Sequence, residues 1–267
     1  MEDQVPLIME NVFECTLEMI NKDFSEFPEH RVEFFTLLRA INLHCFPALL
    51  KLDNRQFKFV IDSCMWASKH DNREVEYAGL NMCLELITNI AETDPATSNA
   101  FFQQFFIPIL QDVFFVLTDT DHKAGFKSQS MLLSRMFYFV QPADGTSPKI
   151  QGPIYSPDQA AAGTSNKEFL ANFVANLLQN AFPNLQTNQI KAFVEGLFSL
   201  NNVYDRFKLN LRDFLIQLKE FSGDNAELYA DEKEQQLKDA QAAERERLSK
   251  VGGLLKPAEL AEDDDEL

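Results

Sequence analysis

Glycine and tryptophan are scarce in this chain, at 9 and 1 of 267 residues, while phenylalanine reaches 25. Few backbone breakers and many large apolar side chains suit helix–helix seams. No run approaches 18 uncharged apolar residues, which argues against a membrane span. The start, Met1 to Pro6, lacks the basic and apolar regions of a secretory signal. Cysteine is also sparse. Cys15, Cys45, Cys64 and Cys83 fall within helical stripes without CxxC spacing, and they read as buried thiols of a reducing compartment rather than as disulfides or metal ligands. Positive charge is in deficit: 24 basic against 41 acidic residues give a net charge of −17. That balance argues against direct contact with nucleic acid or with an anionic membrane, both of which require local positive charge. About 7 of the excess negative charges lie in residues 225–267, so basic protein surfaces are the natural partners of that end.

What is present is helical periodicity. Phe13, Leu17, Ile20 and Phe24 recur at the spacing of one helix face. A corner at 27–31 follows, in which Pro28 suits a first helical position and Glu29 meets the positive end of the helix dipole. Val32, Phe35, Leu38 and Ile41 carry a second stripe towards His44, and Phe46-Pro47 reads as its stop. Asp53 with Gln56 marks another helix start, with Phe57, Val60, Ile61 and Cys64 on its face. A helix from about Arg73 carries Val75, Gly79, Met82, Leu86 and Ile90. Asp94-Pro95 opens the next, with a wide phenylalanine-rich face and an internal Pro108 expected to kink it. A helix after Asp119 bears Phe126, Leu132, Leu133, Met136 and Phe139. First helices begin near 10, 53 and 95, and second helices near 28, 73 and 121. Two helices recurring at this interval predict an all-α fold, an α-solenoid of HEAT-type antiparallel helix pairs.

Residues 142–165 hold four prolines and three glycines and read as a mobile loop within the solenoid. Ser165 with Glu168 starts the next helix, Thr187 is expected to cap another, and a third runs from about Val203 until Gly223 ends it. The expected organisation is therefore repeats over 1–223, a polar C-terminal helix over 224–250, and an acidic disordered tail over 251–267. The polar helix carries only Leu228, Leu237, Ala240 and Leu248 along one side, which predicts a weakly held surface helix. One hairpin alone does not bury enough to fold, so each needs a neighbour or a cap. The C-terminal end has a polar cap, whereas Val5, Pro6, Leu7 and Ile8 have none. The chain therefore reads as the C-terminal piece of a longer solenoid.

No catalytic constellation emerges. His44 and Cys45 are adjacent on a helix and diverge by about 100°, too far apart for a base–nucleophile pair. Asp119, Asp121 and His122 read as helix-capping residues rather than a metal corner. The carboxylates Glu262, Asp263, Asp264, Asp265 and Glu266 form a charge run and not a calcium site. No enzyme activity and no cofactor are expected.

The wording of several segments is specific. Val-Phe-Glu-Cys-Thr-Leu-Glu-Met-Ile-Asn-Lys-Asp-Phe at 12–24 and Phe-Pro-Glu-His-Arg at 27–31 closely resemble the C-terminal region of the exportins, karyopherin-β (importin-β-like) receptors for leucine-rich nuclear export signals. The resemblance continues at 57–63, 173–183, 193–201 and 211–221. It is weakest at 142–165 and in the last forty residues. It implies a ring-shaped receptor that shuttles between nucleus and cytoplasm through nuclear pores. The implied partners are RanGTP, export-signal cargo proteins, nucleoporins and the receptor's own N-terminal repeats, with no membrane insertion. In that family the export-signal groove, its reactive cysteine and most Ran contacts lie in earlier repeats. The resemblance leaves this segment the closure of the ring and a C-terminal helix and tail that oppose cargo binding, with the 262–266 carboxylates as the regulatory run. The rival reading is a HEAT-repeat scaffold with no transport role.

Overall fold

The computed structural model describes residues 4–13, 15–16, 28–161, 163–218 and 225–249. Among these the regular structure is helical and no strand occurs. A short helix α1 (Val5–Ile8) runs into a π-helical turn (Met9–Phe13). Then follow α2 (Pro28–His44), a one-turn α3 (Phe46–Leu49), α4 (Asn54–Ser68), α5 (Arg73–Ala91) and α6 (Pro95–Leu117). A 3-10 turn (Thr120–Gly125) leads into α7 (Phe126–Val140). Beyond an irregular connection lie α8 (Asn166–Ala181), α9 (Thr187–Ser199) and α10 (Tyr204–Gln217). The chain divides into two compact units, Met1–Asn225 and Ala226–Leu267.

Local chemistry explains where these helices begin. The first backbone N–H groups of a helix lack intrahelical partners, and a side-chain oxygen one step upstream supplies one. Asp53 accepts from the Gln56 amide at 2.7 Å, and Asn72 from the Glu74 amide at 2.9 Å. Asp94 accepts from the Ala96 and Thr97 amides at 3.0 Å each, and Ser165 from the Glu168 amide at 3.2 Å. Pro95 occupies a first-turn position, where its missing N–H costs nothing. At α9 the cap is Gln186 rather than the expected Thr187, and the Gln186 amide donates to Gln189 Oε1 at 3.0 Å.

In the first unit, α4 packs against α5 and α6 against α7 as antiparallel pairs. The second helices α2, α5, α7 and α10 form a continuous row. Phenylalanine rings fill the seams. Phe57 of α4 lies 5.8 Å from Phe101 of α6, Phe102 lies 6.0 Å from Phe139, and Phe137 lies 5.1 Å from Phe198. Phe193 and Phe214 stack at 3.9 Å between α9 and α10. At Gly79 the backbones of α4 and α5 approach closely: an added Cβ would overlap Ala67 Cβ and lie 3.2 Å from the Cys64 carbonyl oxygen.

Three further features of the helices differ from expectation. The stop at Phe46-Pro47 is instead the extra turn α3, with Ala48 and Leu49 buried. The helix expected directly after Asp119 begins as a 3-10 turn and becomes α-helical only at Phe126. By length and composition α6 does qualify as a membrane span, at 23 residues and mean hydropathy 1.6, yet 61% of that window is buried inside the protein. Its Pro108 lies on the exposed face, where the Gln104 carbonyl that loses its usual donor can reach water.

At the N-terminal end, Val5 and Met9 are buried while Leu7 is exposed. Phe13, the one member of the first expected stripe within the described residues, lies with its ring 4.7 Å from that of Phe34. Leu17, Ile20 and Phe24, and the expected end of α10 at Gly223, lie outside the described residues. In the second unit a 3-10 turn (Ala226–Tyr229) precedes α11 (Ala230–Ser249). This helix is stapled on its own surface by Lys238–Glu234 at 2.5 Å and by Gln235 Nε2 donating to Asp239 at 2.8 Å.

Candidate interaction surface

The row of second helices is tied together by polar side chains about one repeat apart. Arg39 of α2 donates from Nε to both carboxylate oxygens of Glu85 of α5 at 2.8 Å, and this hydrogen bonding, with the Glu85 charge, raises the Arg39 pKa above its ordinary value. Four residues on, Asn89 Nδ2 donates to the Asn42 carbonyl and side-chain oxygens at 3.3 and 3.2 Å. In the first-helix layer Lys69 meets Asp112 at 2.5 Å. Asn42 is buried at its tie to Asn89, whereas the two solvent-accessible ion pairs contribute little stability each. Their effect is to hold register between neighbouring repeats.

Deeper contacts are polar where a stripe-based reading expects apolar. Glu76 is buried between α5 and α7, and its Oε1 accepts from Gln129 Nε2 at 3.0 Å. The same Gln129 nitrogen donates to the His122 carbonyl at 3.2 Å, which fixes the 3-10 turn onto α7. Arg31 is fully buried with its guanidinium 5.7 Å from the Trp66 ring centre. Asn201 is the knot of a further network. It accepts from the Ala143 amide at 2.9 Å and donates to the Gln141 carbonyl at 3.0 Å, while its own carbonyl accepts from Ser134 Oγ at 3.2 Å. Sequence reasoning singled out none of these. Glu76 alone carried a signal, because it falls in register with Leu80, Cys83 and Ile87 on the apolar side of α5.

Beside Asn201 a cleft of about 380 Å³ opens between α5, α7 and the start of α10, lined by Leu84, Met131, Arg135, Tyr138 and Tyr204. Its walls mix aromatic faces with the Arg135 guanidinium, the Asp144 carboxylate and the Asn201 and Asn202 amides, a lining suited to peptide side chains. Two further clefts, of about 470 and 630 Å³, flank the 142–165 connection. That connection is fastened as well as irregular. Ile150, Ile154 and Tyr155 are buried, Gly152 N–H donates to Asn99 at 2.8 Å, and Asn166 Nδ2 donates to the Gly152 carbonyl at 2.8 Å.

The candidate chemical residues form no shared site: the His44–Cys45 pair is split by burial, and the Asp119, Asp121 and His122 cluster serves a helix start. His44 is exposed and Cys45 buried, so they face opposite environments. Asp119 caps the 3-10 turn, accepting from the Asp121 amide at 3.1 Å, with His122 Nε2 3.8 Å from its other oxygen. Cys45, Cys64 and Cys83 are buried as expected, but Cys15 is exposed. It lies at the end of the described N-terminal stretch, where stripe position alone overstated burial. Burial pushes the Cys64 thiol well up and that of Cys83 to about 12. The carboxylates Glu262, Asp263, Asp264, Asp265 and Glu266 lie outside the described residues.

Antiparallel helix pairs in register, joined at their seams by large apolar rings, define an all-α solenoid of the HEAT type. Within that class, the family described as CRM1 C terminal matches residues 1–223, and the chain belongs to that family. It is similar to Exportin-1 of Schizosaccharomyces pombe, 54% identical over 97% of this chain. It is similar too to EXPORTIN 1B of Arabidopsis thaliana and to Exportin-1 of Drosophila melanogaster, 43% and 42% identical over 98% of the chain in each case. The chain spans 24% of the length of each of these relatives, about a quarter.

Proposed function

We propose that this chain is the C-terminal segment of a nuclear export receptor that carries leucine-rich export-signal cargo with RanGTP through nuclear pores. The observation that carries the reading is 54% identity to an exportin over 97% of the chain. The tied row of helices supports it, since a wall of stacked repeats transmits curvature and presents long surfaces to protein partners. On this reading the protein acts by binding and not by catalysis, and it shuttles between nucleus and cytoplasm. The repeats over 1–223 form the end of a ring that meets the receptor's N-terminal repeats, with nucleoporins as further partners.

Regulation falls to the polar helix over 224–250 and the tail over 251–267, whose Glu262 to Glu266 run is the regulatory element. The physical basis is population shift. A helix with a thin apolar side and a charged tail are held weakly, so they bias the ring against cargo by only about 1–3 kcal/mol, which bound RanGTP and cargo together can reverse. Deleting 224–267 from the intact receptor is therefore expected to raise affinity for an export-signal peptide without RanGTP, read by fluorescence anisotropy. Unchanged affinity would sink the regulatory assignment. A RanGTP pull-down with the intact protein separates the transport reading from a scaffold, which would leave RanGTP in the supernatant.

A further inference from the structure

Two serine–proline pairs stand in the 142–165 connection, Ser147-Pro148 and Ser156-Pro157, and the structure treats them differently. On one side of the first pair Ala143 is clamped to Asn201. On the other, the amides of Lys149 and Ile150 donate to the Phe139 carbonyl at 3.0 and 3.1 Å, and Ile150 is buried. Between these clamps residues 144–148 form an exposed arch without helix. Gly145 bends it at φ +78°, with open space around its α-carbon. The Thr146 hydroxyl is taken by Asp144 at 2.7 Å. Ser147 Oγ takes part in no hydrogen bond among the described residues.

Ser156 is half-buried and held through its backbone. Its amide donates to Gln159 Oε1 at 2.9 Å and its carbonyl accepts from the Gln159 amide at 2.9 Å, while its side chain helps hold the Asp158 carboxyl below its usual range. Tyr155 immediately before it is buried, with its ring 4.7 Å from Phe169 and its hydroxyl donating to the Thr164 carbonyl.

We propose that Ser147 is a phosphorylation site for a proline-directed serine/threonine kinase, and that the folded protein withholds Ser156 from the same enzyme. Proline at the following position has no N–H, so a kinase groove lacking an acceptor there favours it. Proline also biases the preceding residue to extended backbone, the form in which a kinase groove takes its substrate. In the transfer, Ser147 Oγ bonds to the γ-phosphorus of a nucleoside triphosphate. The bond from that phosphorus to the bridging oxygen breaks, the diphosphate leaves, and the hydroxyl proton passes to the kinase's carboxylate base. The new group carries about −1.5 to −2 charges at neutral pH. It arrives between Asp144, which repels it, and Lys149, whose ammonium bridges Glu92 at 2.9 Å. Lys149 becomes its counter-ion at the expense of Glu92, and the arch loosens.

The test is to incubate the intact protein with a proline-directed kinase and ATP and to map the labelled peptides over time. Ser147 is expected to be labelled at least about tenfold faster than Ser156, since modifying Ser156 first requires local opening. S147A is expected to remove nearly all early label and S156A to leave it unchanged. Comparable early labelling of Ser156 would overturn the proposal. So would an unlabelled intact protein under conditions where a synthetic peptide spanning 141–153 is labelled. Amide exchange over 144–150 is expected to quicken severalfold on modification, and unchanged exchange would overturn the loosening.

Discussion

At the scale of single residues, burial decides chemistry before proximity does. Cys64 and Cys83 lie on facing helices α4 and α5, wholly buried, with their thiols pushed up by desolvation. Nucleophilic attack needs the thiolate, so neither is expected to react with an aromatic disulfide reagent near neutral pH in the folded protein. The exposed Cys15 is expected to react first, and a thiol count that reaches Cys64 or Cys83 without denaturant would contradict the buried state. The same shift sets a pH dependence. The folded-state pKa is raised, so the contribution is fully present below the unfolded thiol value of 9.0 and is lost as pH rises towards about 12. Urea midpoints measured at rising alkaline pH are therefore expected to fall across that window. Replacing Cys83 by alanine is expected to flatten part of the fall, at the cost of a small cavity.

At the scale of elements, the α4–α5 seam rests on a glycine. Gly79→Ala places a methyl group against Ala67 and the Cys64 carbonyl, neither of which is the flexible end of a long side chain. Helix propensity alone would make this substitution stabilising by about 1 kcal/mol. Overpacking of a closed seam costs about 1–3 kcal/mol, so net destabilisation is expected. A chemical-denaturation midpoint above that of the unmodified protein would show that the helices can separate at no cost. Gly79 is also a place where reading by pattern was sufficient, because it recurs on the stripe of Val75 and Met82. Most helices were legible in that way, from the period of their apolar residues and from caps such as Asp53, Asp94 and Ser165. What stayed hidden was tertiary. The Phe46–Leu49 turn forms although Pro47 reads as a stop, since a first-turn proline is as compatible with starting a helix as with ending one. The burial of Glu76 and Arg31 depends on partners 53 residues away at Gln129 and 35 away at Trp66, which no local pattern carries. The 142–165 connection was readable as irregular from its prolines, but its fastening by Asn99, Asn166 and Asn201 was not. Asparagine in a loop is too common to mark a clamp.

At the scale of the whole molecule, the uneven charge is what composition showed first and what most needs a role. Of a net −17, about 7 charges belong to residues 225–267, and the helix that leads there carries the Lys238–Glu234 and Gln235–Asp239 pairs along its own surface. If the Glu262 to Glu266 run regulates the receptor as proposed, it acts through its charge on a basic surface and not through shaped contacts. That distinction is measurable. Replacing Glu262, Asp263, Asp264, Asp265 and Glu266 by their amides in the intact receptor keeps length and hydrogen-bonding capacity while removing five charges. Export-peptide affinity without RanGTP is expected to rise by about 5- to 150-fold at low salt, since such couplings run to about 1–3 kcal/mol. The gap between the two proteins is expected to narrow as ionic strength approaches about 1 M, where screening acts within roughly 3 Å. Equal affinities at low salt would remove the tail from the mechanism. A gap that persists at high salt would move the effect from charge to shape, and with it from the tail to the polar helix that precedes it.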